Sequence, residues 1–475
     1  MTIRVCGTKF IYILVAIVNI TGFSFGTTIS WTSSQLTKLQ KSDDSPLGRA
    51  ITDNEASWIT SLYSIGGIIG PLIFGYINVK IGQRLTLIAL AVPFIVPYLI
   101  FAFATHINWY YAGRFLLGVG IAPMFSICTV YVAEIADKST RGLLTSAGMF
   151  FVSIGSLFSY CVGPYTSTMV FNLILAAIPS SYMVLIIIFA PESPHHQIKR
   201  GDIRGAIKSL EIIRGYSGER ITKEIEDIQT FSNQDDVTGR IIDLFSTKAA
   251  RFAFFMSLFL TVFQQLSGMG IILSYTEQIF DATKSKLTSS QSSIIVGIMQ
   301  VVCAPIAPIF TDKFGRRILM MFSISGAILS ETLLGTFFTL KDQGRNVDSF
   351  SWLPLFCMGM FMVTFFAGIG SLPWPIIAEI YPTHLKPIGA GIINTCCNLV
   401  GFAVLYFFND LVKSIGMGGT FYMYSGILAV SGVIVFIWLP ETKGQTFQEI
   451  QDIISGHKKY SDSMAMENHG YSQKY

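Results

Sequence analysis

The sequence predicts an all-α membrane protein: twelve transmembrane helices in two six-helix repeats, with a small cytoplasmic helical domain between them. Three observations predict it. The first is composition. Of 475 residues, 51% are hydrophobic and only 13% are charged, about half the charged share of a soluble domain. Mean hydropathy is +0.55. A disordered or collagen-like chain is excluded, and an ordinary soluble enzyme is disfavoured. The second is the number of long apolar runs, and the third is an internal repeat at about half the chain length. The net charge of +4 is small, so nucleic acid is not an expected partner.

A spanning helix needs about 20 mostly apolar residues. Such runs lie near 10–30, 57–78, 85–104, 109–133, 143–164 and 170–190, then near 252–280, 290–311, 318–340, 352–380, 388–410 and 420–439. The basic start followed by an apolar stretch could be a signal peptide. Its length and the spans that follow favour a first spanning helix. The expected organisation is a six-helix half over 1–190, a helical linker domain over 191–250, a second six-helix half over 251–440 and a tail over 441–475. Within the linker, Ile203–Ile213 and Ile221–Ile228 have helical amphipathic spacing, with turns at 215–218 and 233–236. All cysteines but Cys6 sit in apolar runs and no CxxC pair occurs, so they read as packing residues.

Charge sets the expected orientation. With both termini inside, cytoplasmic segments hold 24 of the 33 Lys and Arg, and the outer loops hold eight. Arg114 is left embedded near a helix start.

Three segments recur. Gly75–Arg84 echoes Pro308–Arg317, Val132–Gly142 echoes Ile377–Pro387, and Pro191–Pro194 echoes Pro440–Lys443, at offsets of 233, 245 and 249 residues. The pairs follow the second, fourth and sixth spans and their counterparts in the second half. Duplicated halves around a midplane site are a plan of alternating-access carriers. All six segments place charges at the cytoplasmic ends of helices. Glu134 with Arg141, Asp312 with Arg316 and Arg317, and Glu379 with Lys386 are expected to form a cytoplasmic gate between the halves.

Taken together, these motifs resemble the sugar porter family of the major facilitator superfamily. They are Gly113-Arg114, Tyr131–Glu134 with Arg141-Gly142, Pro191–Pro194, Gln264–Gly268, Asp312–Arg317, Pro373-Trp374 with Glu379, and Pro440–Gly444. The resemblance covers nearly the whole chain and is strongest to facilitative glucose transporters and insect trehalose transporter-like proteins. It implies the major facilitator fold and facilitative transport of a neutral sugar, hexose or trehalose. The alternatives are a proton-coupled sugar symporter and a non-transporting membrane sugar sensor; no catalytic constellation suggests an enzyme.

A sugar presents hydroxyls and apolar faces, so its site needs neutral donor–acceptors and an aromatic wall. A glutamine amide offers two donors and an acceptor. The resemblance places Gln264 and Gln265 in the seventh helix on the sugar, with Trp374 at its edge, and adds Gln300 and Asn398. Prolines 373 and 375 with glycines 368 and 370 make the tenth helix a broken one, tolerated where backbone lines a cavity. Several positions depart from the family pattern: Met149 replaces a glutamine, Gly270 an asparagine and Phe366 a glutamate, while Val79 and Gln83 have lost gate charges.

Proton-coupled relatives carry an aspartate in the first helix, where Gly26 stands here. Its absence favours facilitated diffusion. Glu331, in mid-membrane in the ninth helix, reads as a partner for a neighbouring polar group or as facing a wet crevice. The expected partners are a small-molecule sugar and membrane lipid. No cofactor, metal or nucleic acid is expected, the working unit is a monomer, and the location is the plasma membrane.

Overall fold

The computed structural model describes residues 8–42, 45–137, 140–232, 240–283, 287–305, 314–381, 385–441, 443, 445 and 449–450. The turn expected at 233–236 and the gate residue Asp312 lie outside them. The described residues are helical and contain no strand. Among the described residues, ten helices are long and apolar enough to cross a membrane, and two shorter apolar ones, Ser289–Cys303 and Leu353–Ala367, bring the count to twelve.

The first six spans are Thr8–Leu39, Asp53–Ile81, Gln83–Leu90 continuing as Val92–Ala102, Ile107–Pro123 continuing to Ile135, Arg141–Val162 and Thr168–Phe189. The fourth passes through a π-turn at Met124–Cys128, directly after Pro123, where the ring removes a helical hydrogen bond. The seventh is Lys248–Leu266, then Met269–Ser274 and Thr276–Thr283 beyond a left-handed Gly268 (φ +77°). The eighth is Ser289–Cys303 and the ninth Arg316–Asp342. The tenth breaks between Leu353–Ala367 and Pro373–Ile380, and the eleventh and twelfth are Lys386–Tyr406 and Phe408–Trp438.

Two boundaries differ from the sequence reading for a physical reason. The first span runs on to Leu39 because Ser30, Ser33, Ser34 and Gln35 are buried within protein, where polar side chains escape the lipid that hydropathy assumes. The twelfth begins at Phe408, ahead of the expected residue 420. Its polar first turns lie against the second span and bend at Gly416 (φ 76°) into the membrane-long part.

The packing repeats as the sequence does. Spans 1 and 5 pack together, as do 7 and 11; 2 and 4 are matched by 8 and 10, 3 and 6 by 9 and 12, and 3 and 4 by 9 and 10. Between the halves, span 2 meets span 11 and span 5 meets span 8, which are the same contact under the repeat. Within the first half, span 1 meets span 5 through glycines in both directions. A Cβ on Gly26 would lie 1.9 Å from the Val152 carbonyl oxygen, and one on Gly155 would lie 2.0 Å from that of Phe23. Lipid supplies little hydrophobic drive between helices, so such close backbone contact is the main source of association.

Four pieces lie between the sixth and seventh spans: Pro194–Lys199, Ile203–Arg214, Glu219–Ser232 and a short 3-10 turn, Ile241–Phe245. The first three share a small core of Ile198, Ala206, Leu210, Ile221 and Ile225. Below, the end of the bundle carrying these helices is the linker end, and the opposite one is the loop end.

The packing yields a stability prediction. Gly26→Ala should lower stability by about 1–3 kcal/mol through overpacking, measured as a drop in the thermal midpoint of detergent-purified protein. Gly142→Ala, whose Cβ would meet nothing within 4 Å, should leave the midpoint unchanged.

Candidate functional site

The break in the tenth span frees backbone carbonyls in mid-membrane, and an unsatisfied carbonyl there is costly. The Gln264 amide supplies the remedy. Its Nε2 donates to the carbonyls of Ile369 at 2.9 Å and Gly370 at 3.0 Å. Ser323 of the ninth span accepts from Ile369 N at 2.9 Å. Just past the break, Pro373 restarts the helix and Trp374 projects from it, 42% exposed. One residue from Gln264, Gln265 Nε2 reaches Cys397 Sγ in the eleventh span at 3.1 Å. Beside Cys397, Asn398 donates to Asn394 O at 2.8 Å, and a Cβ on Gly67 of the second span would lie 2.5 Å from the Asn398 Oδ1.

Gln264 thus joins span 7 to the break of span 10, Gln265 joins span 7 to span 11, and Asn398 of span 11 faces span 2, with Trp374 along the same broken helix. Gln300 is placed differently. It is buried in the eighth span, and its Oε1 has no partner. Of the positions that depart from the family pattern, Met149 is exposed and Phe366 is buried.

The charged motifs bond within their own halves. Glu192 Oε1 accepts from the backbone N–H of Gln83 at 2.9 Å and Arg84 at 3.1 Å. Its repeat counterpart Glu441 accepts from Arg316 N at 2.9 Å and Arg317 N at 3.1 Å. Each carboxylate thus satisfies the free N–H groups that open spans 3 and 9 and complements the positive end of the helix. Arg84 donates to Ile187 O at 2.8 Å, and its counterpart Arg317 donates to Phe436 O. Glu379 pairs with Arg316 at 2.9 Å. Glu134 accepts instead from Gln83 Nε2 at 3.2 Å and from Ser193 Oγ. The expected pairings of Glu134 with Arg141 and of Glu379 with Lys386 are not what these acids make here. Arg141 is exposed and Lys386 half-buried, while each acid bonds beside the start of span 3 or 9.

Among the described residues, the bonds between the halves lie at mid-depth and at the loop end. Lys413 pairs with Asp53 at 2.7 Å. Asn409 Nδ2 donates to Ser57 Oγ at 3.0 Å, and the Trp58 ring packs on Tyr406 with centroids 5.0 Å apart. Ser33 Oγ accepts from Glu277 N at 3.1 Å, Gln278 Nε2 donates to Gln40 Oε1 at 2.8 Å, and Tyr160 donates to Leu273 O at 2.9 Å. At the linker end, the helical domain is fastened to the first half. Arg214 bonds Asp137 at 2.7 Å and the Ile135 carbonyl at 2.9 Å, while pairing with Glu224 of its own domain at 2.8 Å.

The sequence reading left Arg114, Cys397, Ser323, Asn394 and Arg214 without a stated contact. Arg114 is fully buried, donating to the carbonyls of Ile59 at 2.7 Å and Thr28 at 2.8 Å, with its guanidinium over the Tyr63 and Trp31 rings. The Gly113-Arg114 motif inside an apolar run was the available signal. Glu331 departs from its expectation. It is 1% exposed, and neither carboxyl oxygen has a hydrogen-bond partner among the described residues.

Among the described residues, twelve apolar helices in two matched halves, with the tenth span broken, define the major facilitator fold. The family pattern described as sugar (and other) transporter matches residues 14–454, and the chain belongs to that family. It is 30% identical over 455 residues to the "Facilitated trehalose transporter Tret1" of Apis mellifera ligustica, covering 94% of this chain and 89% of the relative. It is 31% identical over 421 residues to that of Anopheles gambiae, covering 87% of this chain. This chain spans about half the length of the Anopheles relative, 52%. Among solved structures, the inward open conformation of the xylose transporter XylE from E. coli matches with a TM-score of 0.76 at 22% identity, covering 93% of this chain and 99% of that one. XylE bound to 6-bromo-6-deoxy-D-glucose, described as a proton:xylose symporter, matches with a TM-score of 0.74 at 22% identity, covering 94% of this chain and 99% of that one.

The two capping glutamates should be equivalent. Glu192→Ala and Glu441→Ala are each expected to cost about 1–2 kcal/mol through a lost helix cap, detected as a lower thermal midpoint of similar size in both variants.

Proposed function

We propose that this chain is a uniporter that carries a neutral sugar, hexose or trehalose, down its gradient by alternating access. The observation that carries this reading is the amide set of Gln264, Gln265 and Asn398, with Trp374, at the break of the tenth span. Gln264 bonds the freed carbonyls of Ile369 and Gly370. A sugar hydroxyl arriving there meets neutral donors and acceptors already aimed at the break, and Trp374 offers its pyranose face an apolar wall. Gln300, buried in the eighth span with its Oε1 unpartnered, is a further candidate apart from this set. The names of the insect relatives supply trehalose as a substrate class.

Uniport is favoured by the first helix. A Cβ at Gly26 would meet the Val152 carbonyl oxygen at 1.9 Å and Ser156 N at 2.8 Å, so neither an aspartate nor another side chain fits without moving the fifth span. Symport is the second reading, and Glu331 is the observation that favours it.

The linker end is the cytoplasmic one, with both termini there, in the plasma membrane. The bonds holding the loop end closed then make this an inward-facing conformation. The halves 1–190 and 251–440 rock about the site, the linker helices Pro194–Lys199, Ile203–Arg214 and Glu219–Ser232 follow the first half, and one chain is the working unit. When the cytoplasmic ends close, Arg141, Asp312, Arg316, Arg317 and Lys386 approach Glu134 and Glu379 across the halves and form the inner gate.

The test is transport in proteoliposomes without an ion gradient, using labelled trehalose and labelled D-glucose. Saturable entry of either sugar supports the uniporter. Entry of neither without an imposed proton gradient, and of one with it, supports the symporter. In the same vesicles, Gln264→Ala should raise the half-saturating sugar concentration about tenfold, the equivalent of one hydrogen bond to substrate, at unchanged reconstitution; unchanged saturation would remove Gln264 from the pocket.

A further inference from the structure

Glu331 is the unexplained acid of the membrane core. It is 1% exposed in the ninth span, and neither carboxyl oxygen has a partner. Its neighbours are bonded elsewhere: Ser330 Oγ donates to Cys357 O of the tenth span, and Thr332 pairs with Ser425 of the twelfth at 2.7 Å. Its Oε1 lies 3.2 Å from where a Cβ would sit on Gly268, and the Tyr424 ring flanks the same spot. The titratable groups nearest it are Tyr424 from the twelfth span, whose ring flanks the same spot, and Cys357 in the tenth, whose carbonyl accepts from the neighbouring Ser330. No Lys, Arg or His pairs with it among the described residues.

Gly268 is not an ordinary neighbour. With φ +77° it separates Lys248–Leu266, which carries Gln264 and Gln265, from the segment that closes the loop end. Beyond it, Leu273 O, Glu277 N and Gln278 hold Tyr160, Ser33 and Gln40 of the first half. The same glycine that lies over the carboxyl is therefore the joint between the helix carrying Gln264 and the segment bonded at the loop end.

We propose that Glu331 is a proton-binding site under the seventh-span hinge, and that its proton favours the conformation with the loop end closed. This rests on the alternating-access reading above. A lone carboxylate in a dry site is strongly disfavoured, whereas the neutral acid is tolerated. While Gly268 covers it, the side chain keeps its proton. When the outer part of the seventh span swings away from the first, the cover lifts, water reaches the carboxyl and the proton leaves to that water. Proton binding and hinge position are thus linked, and the linkage is reciprocal. The sign follows: the closed conformation binds the proton more tightly, so acid favours closure and alkali favours opening.

The experiment reads the hinge rather than transport. A cysteine is introduced by Ser57→Cys, buried under Asn409 at the loop end, in a Cys161→Ser background. Its labelling by a membrane-impermeant maleimide is followed in proteoliposomes and corrected for the reagent's own pH dependence. Labelling should rise about tenfold from acid to alkaline pH if the two conformations differ by one unit in proton affinity. Glu331→Gln, which keeps the shape and cannot ionise, should label slowly at every pH. A wild-type Glu331 response that is flat with pH, or a Glu331→Gln response as steep as wild type, overturns the site; the first needs no variant to fold. Trehalose or D-glucose added at fixed pH separates the two claims. A labelling rate that answers to sugar but not to pH removes the proton site and keeps the carrier, and one that answers to neither removes both.

Discussion

A polar group left unpartnered inside a bilayer-spanning chain is costly, and the bonds that avoid this cost organise much of the structure. Arg114 shows it most plainly. A guanidinium fully inside the first half is held by the carbonyls of Ile59 and Thr28 and by two aromatic faces, tying the fourth span to the first and second. The break in the tenth span follows the same rule. The prolines and glycines break it, and it is tolerated because Gln264 reaches across to the carbonyls that the break sets free. The amide proposed to meet a sugar hydroxyl is thus also the one that makes the broken helix tolerable.

The repeat gains a mechanical meaning from these bonds. Glu192 and Glu441 perform the same capping on spans 3 and 9, and Arg84 and Arg317 reach equivalent carbonyls on spans 6 and 12. Each half is thereby stiffened at its linker end by its own residues. Gln83 occupies the place where the second half has Arg316, and it still bonds Glu134. The substitution changes an ion pair into a neutral hydrogen bond without losing the contact, which leaves the first half's acid short of positive charge.

Helix number and type were legible because a membrane demands long apolar runs. The first and twelfth boundaries were misread where polar residues are buried against protein instead of lipid, as at Gln35, or where a polar helical turn precedes the span, as at Asp410. The amphipathic spacing of Ile203 to Ile213 marked a linker helix that the structure extends only to Arg214. The site was legible by residue type but not by partner. Nothing local in the sequence says that Gln265 meets Cys397, that Asn398 faces Gly67, or that Gln300 is buried, since each depends on packing between distant segments. The partners of the charged motifs were illegible for another reason. The sequence offers several acids and bases of equal merit, and only the three-dimensional placement of the helix starts selects Glu192 for Gln83 and Arg84.

The central claim is that one site between two halves is exposed alternately to the two sides. Counterflow tests it most directly. Vesicles are loaded with a high concentration of unlabelled trehalose or D-glucose and diluted into a trace of the same labelled sugar, with no ion gradient. The account predicts a transient accumulation of label above its outside concentration, because outward-moving unlabelled sugar returns the site to collect label. Label that only equilibrates without an overshoot, in vesicles where entry is carrier-dependent, would contradict it.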